Sequence, residues 1–263
     1  MKENKFQTIR LAVDGDVARI TFARPDVHNA FNATMIGELA QAFDRVKTEV
    51  SVRVVVLTGE GESFCAGADI NWMRKIIDYS YEQNLSESLQ LAEALHKLYS
   101  LPKPTVAMVN GTAIGGGNGF LSACDIAVAA EEAHFGLSEV KIGLVPAAIS
   151  PFVIRKIGES KAREYFLTGK RISAQKAQEI GLVNQVVPRE KLEETVEELV
   201  SLLLTSGPEA LAKCKELIFQ VPQMSLEEVK EFTARMIANL RISEEGQEGM
   251  ASFLEKRKPK WIK

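Results

Sequence analysis

Apolar residues along the chain switch between two spacings, and the switches mark its elements. Residues 8–22 alternate as two short strands, IRLAV and VARITF, joined by the tight-turn tripeptide Asp14-Gly15-Asp16. Arg24-Pro25-Asp26 ends the second strand, and Asn32 is placed to cap a helix whose Ile36, Leu39, Ala40 and Phe43 share one face. Val52 to Thr58, VRVVVLT, is a compact β-branched run that predicts a buried strand. From Tyr81 to Tyr99 the spacing turns helical (Leu85, Leu89, Ala92, Leu95, Tyr99), until Pro102 and Pro104 stop it. Thr105 to Val109 reads as another buried strand, and Gly115, Gly116, Gly117 and Gly119 then precede the apolar segment Phe120 to Ala123.

The alternation continues in short units. Ile126 to Ala130 is an apolar strand, Phe135-Gly136 a turn, and Leu144-Val145-Pro146 leads into an apolar helix. Two further helices end at Gly169 and Gly181, where glycine suits the position just past a helix. Val183 to Val187 is the last strand, closed by Pro188. This alternation predicts an α/β arrangement, with no fixed-period repeat. The remainder reads as helices: Leu192, Val196, Leu199 and Leu203 on one face; Pro208 opening a second with Leu211, Cys214 and Ile218; Ser225 and Glu228 framing a capping box. The last helix starts at Ser243 and runs to Lys256-Arg257-Lys258, basic charge where the helix dipole favours it. The expected division is an α/β core over 1–195 and a helical region over 196–263 that makes oligomeric contacts.

Composition narrows the class without changing this picture. Hydrophobic residues make up 46% and charged residues 25%, as in a globular protein with a full core. With 32 basic and 35 acidic side chains, net charge −3, no global basic field draws nucleic acid or an anionic membrane. Cys65, Cys124 and Cys214 have neither metal-ligand spacing nor an even number for a disulfide framework. The N-terminus MKENKFQTIR has neither signal-peptide nor transit-peptide character, and no apolar run reaches the roughly 18 residues of a membrane span. These features predict a cytoplasmic protein.

Two glycine-bearing sites carry the candidate chemistry: AGAD at 66–69 and GGGNG at 115–119. Each follows a strand and precedes a possible helix, whose first N–H groups lack partners. If the loops converge, the N–H groups of Ala68 and Gly116 can point at one oxygen as it gains negative charge. The alternative is a pair of tight turns packed on neighbours. Neither site fits a P-loop or a dinucleotide fingerprint. The acid–base candidate is Glu139 in FGLSEVKIGLVP, among apolar residues whose burial would raise its pKa toward that of a useful base; pairing with Lys141 or capping a backbone group is the other reading. Asp69 and Asp125 read as helix caps, and His96 as a structural histidine near an apolar face. No Gly-x-Ser-x-Gly motif is present.

Taken together, FCAGADI at 64–70, KPTVAMVNGTAIGGGNGFLSACDIAVA at 103–129, FGLSEVKIGLVP with LTGKRISAQKAQEIGLVNQVV at 167–187, and the closing SFLEKRKPKW at 252–261 resemble the enoyl-CoA hydratase/isomerase (crotonase) family over essentially the whole chain. The resemblance implies a spiral of ββα units with a helical C-terminal domain, assembled as a homotrimer or homohexamer. It implies acyl-CoA thioesters as substrates and no metal or redox cofactor beyond the coenzyme A of the substrate. Carried onto this chain, the oxyanion hole falls on Ala68 and Gly116, with Gly115 beside it. The CoA-contacting segments fall on Arg24, His28, Ala30, Ala66, Asp69 and Ile70, and Phe253 and Lys256 match positions that reach the nucleotide end, often across a subunit boundary.

One departure bears on the reaction. Two-carboxylate hydratases of the family carry a glutamate where this chain has Gly119; the second, Glu139, is kept. A single carboxylate suffices for a double-bond isomerase, and for hydration when another group or the substrate orients the water; a non-catalytic acyl-CoA-binding protein of the same fold is the third reading, favoured by the glycine at 119 and disfavoured by the retained Glu139 and both glycine loops. More narrowly, GADINWMRK at 67–75 and LSEVKIGLVPAAISPFVIRKIGE at 137–159, with the glycine at 119, look like bacterial methylglutaconyl-CoA hydratases and related branched glutaconyl-CoA hydratases. Such substrates carry a second carboxylate. Arg74 or Lys75 is then the candidate cation, a solvated helix face being the other reading of both, and Asn118 or Ser150 the candidate water ligand.

Overall fold

The computed structural model describes residues 6–262. Residues 1–5, half of the segment read for targeting signals, and Lys263 lie outside the described residues. Strands β1 (Ile9–Asp14) and β2 (Val17–Phe22) pair antiparallel about Gly15, whose φ of 53° the turn requires. Helix α1 (Ala33–Thr48) follows, its Asn32 cap accepting the Met35 N–H. It delivers the chain to β3 (Val54–Gly59), parallel to β2.

From there a pattern recurs: one strand in a large sheet, one in a small sheet, then helix. The first pass is β3, β4 (Ser63–Cys65), α2 (Ile70–Ile76) and α3 (Tyr81–Tyr99). The second is β5 (Thr105–Val109), β6 (Thr112–Ile114) and α4 (Gly116–Ala123); the third is β7 (Ile126–Ala130), β8 (His134–Gly136) and α5 (Ser150–Thr168). β9 (Arg171–Ser173) closes the small sheet, and α6 (Ala174–Glu179) leads to β10 (Gln185–Val187) at the edge of the large one. The large sheet runs β1-β2-β3-β5-β7-β10 and the small one β4-β6-β8-β9. This is the spiral of ββα units that the resemblance implies.

The continuous apolar strands are explained by cover on both faces. Val55, Leu57, Ala107, Val109, Ala127 and Ala129 enter the main core. Their alternate neighbours Val54, Val56, Val106, Met108, Val128 and Ala130 face Leu192, Val196 and Val200 of α7 (Leu192–Leu204). The boundary expected at 195/196 therefore falls inside a helix that packs on the sheet. The helices beyond it are α8 (Pro208–Gln220), α9 (Leu226–Ile242) and α10 (Glu244–Leu254).

Some expectations differ in detail. The first half of the α3 stripe stands clear of the core: Leu85 and Leu89 are exposed, and burial begins at Ala94 and Leu95. His96 is exposed, so it is not a core histidine. Asp125 caps no helix; its Oδ2 accepts the Thr105 N–H at 2.7 Å and pairs with Lys215 at 2.7 Å. α10 stops at Leu254, before the basic tripeptide. Lys256 adopts a left-handed φ of 54° that turns the chain back, and Arg257 binds Glu248 and Glu255 instead of a helix end.

Candidate active site

Topology gathers the sequence-distant motifs. β4, β6 and β8 are adjacent parallel strands, with Cys65 beside Ala113 and Ile114 beside Gly136. The segments that follow them, Ala66–Asp69, Gly115–Asn118 and Leu137–Glu139, leave the same edge of the small sheet. Such carboxyl-end edges of parallel strands are where α/β folds build sites. Here a cavity of about 430 Å³ opens, lined among others by Phe31, Ala66, Ala68, Gly115, Gly116, Glu139 and Ile149.

Each of the two loops presents a backbone donor. Ala68 is bracketed by a parallel bridge: Phe31 N–H donates to Gly67 O and Asp69 N–H donates to Phe31 O. That pattern directs the N–H of Ala68 itself away from Phe31, and no backbone acceptor takes it among the described residues. Gly116 is the first residue of α4, so its N–H has no partner within the helix. Gly115, with φ 52° and ψ −121°, makes the turn from strand to helix in a region closed to other residues.

Glu139 faces this turn. A side chain on Gly115 would begin 3.1 Å from Glu139 Oε1. Glu139 opens a 3-10 turn, Glu139–Ile142, and its other oxygen, Oε2, is buried without a hydrogen-bond partner. Burial raises its pKa above the ordinary carboxylate value, only partly offset by its own backbone N–H. No ion pair with Lys141 forms among the described residues, so the pairing reading of Glu139 does not hold. The site thus offers unpaired N–H donors, a carboxylate of raised pKa and an apolar wall. It can hold a carbonyl oxygen that gains negative charge and move a proton at the adjacent carbon.

Comparison with known proteins points the same way. Residues 13–263 match the family profile Enoyl-CoA hydratase/isomerase. The chain belongs to that family. A Thermus thermophilus protein provisionally named an enoyl-CoA hydratase is 39% identical over 249 residues, spanning 94% of this chain and 98% of its own. The 2,3-dehydroadipyl-CoA hydratase of Escherichia coli K12 is 33% identical over 246 residues, 92% of this chain and 94% of its own. The crystal structure of an enoyl-CoA hydratase from Shewanella pealeana superposes with a TM-score of 0.95 at 38% identity, covering 98% of this chain and 97% of the other.

Within this enoyl-CoA hydratase/isomerase fold, the sequence-derived site residues divide. Ala66, Ala68, Gly115, Gly116 and Glu139 line the one cavity. Arg24 and Asp69 pair with each other at 2.7 Å, and Arg24 also binds Ala30 O. Burial pushes Asp69 up, but hydrogen bonds from Arg24, Asn71 and Trp72 outweigh it and hold its pKa below the ordinary value. Asp69 is also the cap of α2, as expected. This pair edges a second hollow of about 290 Å³ with Lys75 and Tyr79. Ala30 is buried and Ile70 exposed; His28 has a left-handed φ of 52°, its Nδ1 3.1 Å from Ser63 Oγ. Phe253 is 83% exposed, far along the chain in the last helix.

Four of the expected residues lie outside the lining of this cavity. Arg74 and Lys75 are exposed on α2, Arg74 donating to Asn71 Oδ1 at 3.2 Å, and neither lines the cavity. Asn118 is fully buried and outside the lining, its Nδ2 donating to Ala113 O and Gly136 O to lock β6 to β8. Ser150 donates to Ala147 O and lies outside the lining. Gly119 is also walled off. A side chain there would begin 2.3 Å from Ile149 Cγ2, so an isoleucine fills the place of the missing second carboxylate's stem. Sequence reasoning missed Ile149 as well as Phe31 and Trp72, whose rings meet edge to face 5.7 Å apart beside the cavity. The run LVPAAIS beside Glu139 was the available signal.

Proposed function

We propose that the chain catalyses reversible hydration of a 2-enoyl-CoA, with a branched glutaconyl thioester such as 3-methylglutaconyl-CoA as the preferred substrate. The observation that carries this reading is the Glu139 carboxylate beside Gly115, in one cavity with Ala68 and Gly116 and with one oxygen unpartnered. The thioester oxygen accepts from Ala68 N–H and Gly116 N–H. Glu139 takes a proton from water as its oxygen adds to the β-carbon, and returns that proton to the α-carbon of the enolate. The CoA moiety runs past Arg24, His28, Ala30, Ala66, Asp69 and Ile70, with Phe253 and Lys256 serving a neighbouring subunit of a homotrimer or homohexamer. Large exposed side chains on the terminal helices, among them Leu226, Ile242 and Leu254, support such an assembly. No cofactor beyond the substrate's own coenzyme A is needed, and a cytoplasmic setting fits three free thiols.

A carboxylated substrate is favoured by the narrower resemblance and by the relative named as acting on dehydroadipyl-CoA, the thioester of a dicarboxylic acid. One observation favours a second reading. With Ile149 packed on Gly119, Glu139 stands alone, which is sufficient for a Δ3,Δ2-enoyl-CoA isomerase shuttling a proton between α- and γ-carbons. Turnover of 3-methylglutaconyl-CoA, crotonyl-CoA and a 3-enoyl-CoA side by side tests both. The expected outcome is the highest kcat/KM for hydration of the carboxylated thioester; turnover of the 3-enoyl-CoA alone makes the protein an isomerase.

A further inference from the structure

The cavity contains one charged group besides Glu139. Among its lining residues Lys141 is the sole cation. It sits two positions beyond Glu139 in the same 3-10 turn, where a step of about 120° per residue sends the two side chains in different directions. No carboxylate of the described chain pairs with it. Its stem is nonetheless supported: Cγ and Cε lie 3.2 and 3.1 Å from where a side chain on Gly169 would begin. Gly169 ends α5 with a left-handed φ of 59°. Lys141 is thus an exposed lining residue of the cavity, alongside the apolar Ile142 and Leu144, with its stem packed against Gly169.

We infer that Lys141 is the receptor for a second carboxylate on the acyl chain and sets the substrate class. The inference rests on the carboxylated-substrate reading above. An anion entering the cavity unaccompanied would repel Glu139, whose carboxylate burial already disfavours. An ammonium on the far side of that anion removes the repulsion and leaves Glu139 free to ionise. The exposure of Lys141 lets both partners keep part of their water, so the pair avoids the desolvation that makes fully buried ion pairs weak. Arg74 and Lys75, the cations expected from sequence, lie outside the lining, and a neutral acyl chain gives Lys141 nothing to hold.

Binding of two inert saturated thioesters, glutaryl-CoA and butyryl-CoA, tests this by calorimetry alongside turnover. The wild type is expected to bind glutaryl-CoA about 10- to 100-fold more tightly than butyryl-CoA, the range of a charge-assisted contact. In Lys141→Met that ratio collapses toward one, and Lys141→Arg restores most of it. A ratio unchanged in Lys141→Met, or equal losses for both thioesters, overturns the assignment. If the wild type hydrates neither 3-methylglutaconyl-CoA nor 3-methylcrotonyl-CoA while the Lys141-dependent ratio persists, the lysine assignment stands and the hydratase reading falls. If carboxylated turnover is preferred and Lys141→Met leaves that preference intact, the lysine assignment falls alone.

Discussion

Glu139 combines two properties that oppose one another. Its Oε2 is buried without a hydrogen-bond donor, so the folded chain favours the protonated acid. As pH rises past the ordinary carboxylate value, the unfolded chain loses its proton first, and folding free energy is lost on approach to neutrality. Glu139→Gln keeps the shape and removes that ionisation. It is expected to raise Tm at pH 7 while lowering turnover by about 10²- to 10⁴-fold, the usual worth of a general base. For the same reason the acidic limb of the wild-type kcat/KM profile lies above pH 4.5, the carboxylate's reference value, and disappears from residual activity of the variant. Unchanged turnover in Glu139→Gln would remove this residue from the mechanism.

At the scale of elements, α4 and the entry to α5 are fitted to one another through Gly119 and Ile149. Ile149 is 3% exposed, and its Cγ2 and Cβ stand 2.3 and 2.9 Å from the position of a side chain on residue 119. Restoring the family's second carboxylate by Gly119→Glu alone must displace that isoleucine. Overpacking of this kind costs about 1–3 kcal/mol, before any cost of burying the charge. Ile149→Ala removes Cγ2. The pair Gly119→Glu/Ile149→Ala is therefore expected to lose less stability than the sum of the single changes, by about 0.5 kcal/mol or more in a denaturation cycle. Strict additivity would show that the two helices do not constrain each other here. The strand β5 shows the opposite case, in which helix packing left the sequence pattern readable: α7 covers one face and the main core the other, so each of its five residues is buried, as a continuous apolar run requires.

On the scale of the whole molecule, the C-terminal segment is tied back across the fold by a few polar contacts. Arg257 donates to both oxygens of Glu248, at 2.6 and 3.0 Å, and the Lys260 N–H donates to Oε1. Arg53 on the approach to β3 donates to Trp261 O, and Trp261 Nε1 to Thr205 O. The hydrogen bonds from Arg257 draw the Glu248 pKa down to about 2. A depressed carboxylate stabilises the fold above its unfolded value of 4.5 and loses that contribution as pH falls toward 2. Glu248→Gln should therefore lower Tm and speed amide exchange over residues 255–262 at pH 7, with the difference from wild type closing near pH 2. Equal exchange at pH 7 would show that the tail is held by Trp261 alone.

Most elements were legible because their signals are local. The Asn32 cap, the Ser225–Glu228 capping box, Pro208 at a first turn, and Gly169 and Gly181 after helices each act within one turn of chain. Glu139, Ala68 and Gly116 were candidates for a related reason: a carboxylate in an apolar stretch and glycine turns ahead of helices are visible in short windows. What the sequence left open was which groups face one another. The pairing of β4, β6 and β8 brings three loops to one edge, turns Asn118 inward and leaves Arg74 in solvent. Ile149 against Gly119 and Lys141 beside the cavity follow from that packing. Backbone signals depend on neighbours within a few residues, whereas the contents of a cavity depend on side chains converging from distant elements, so the tertiary structure alone decided them.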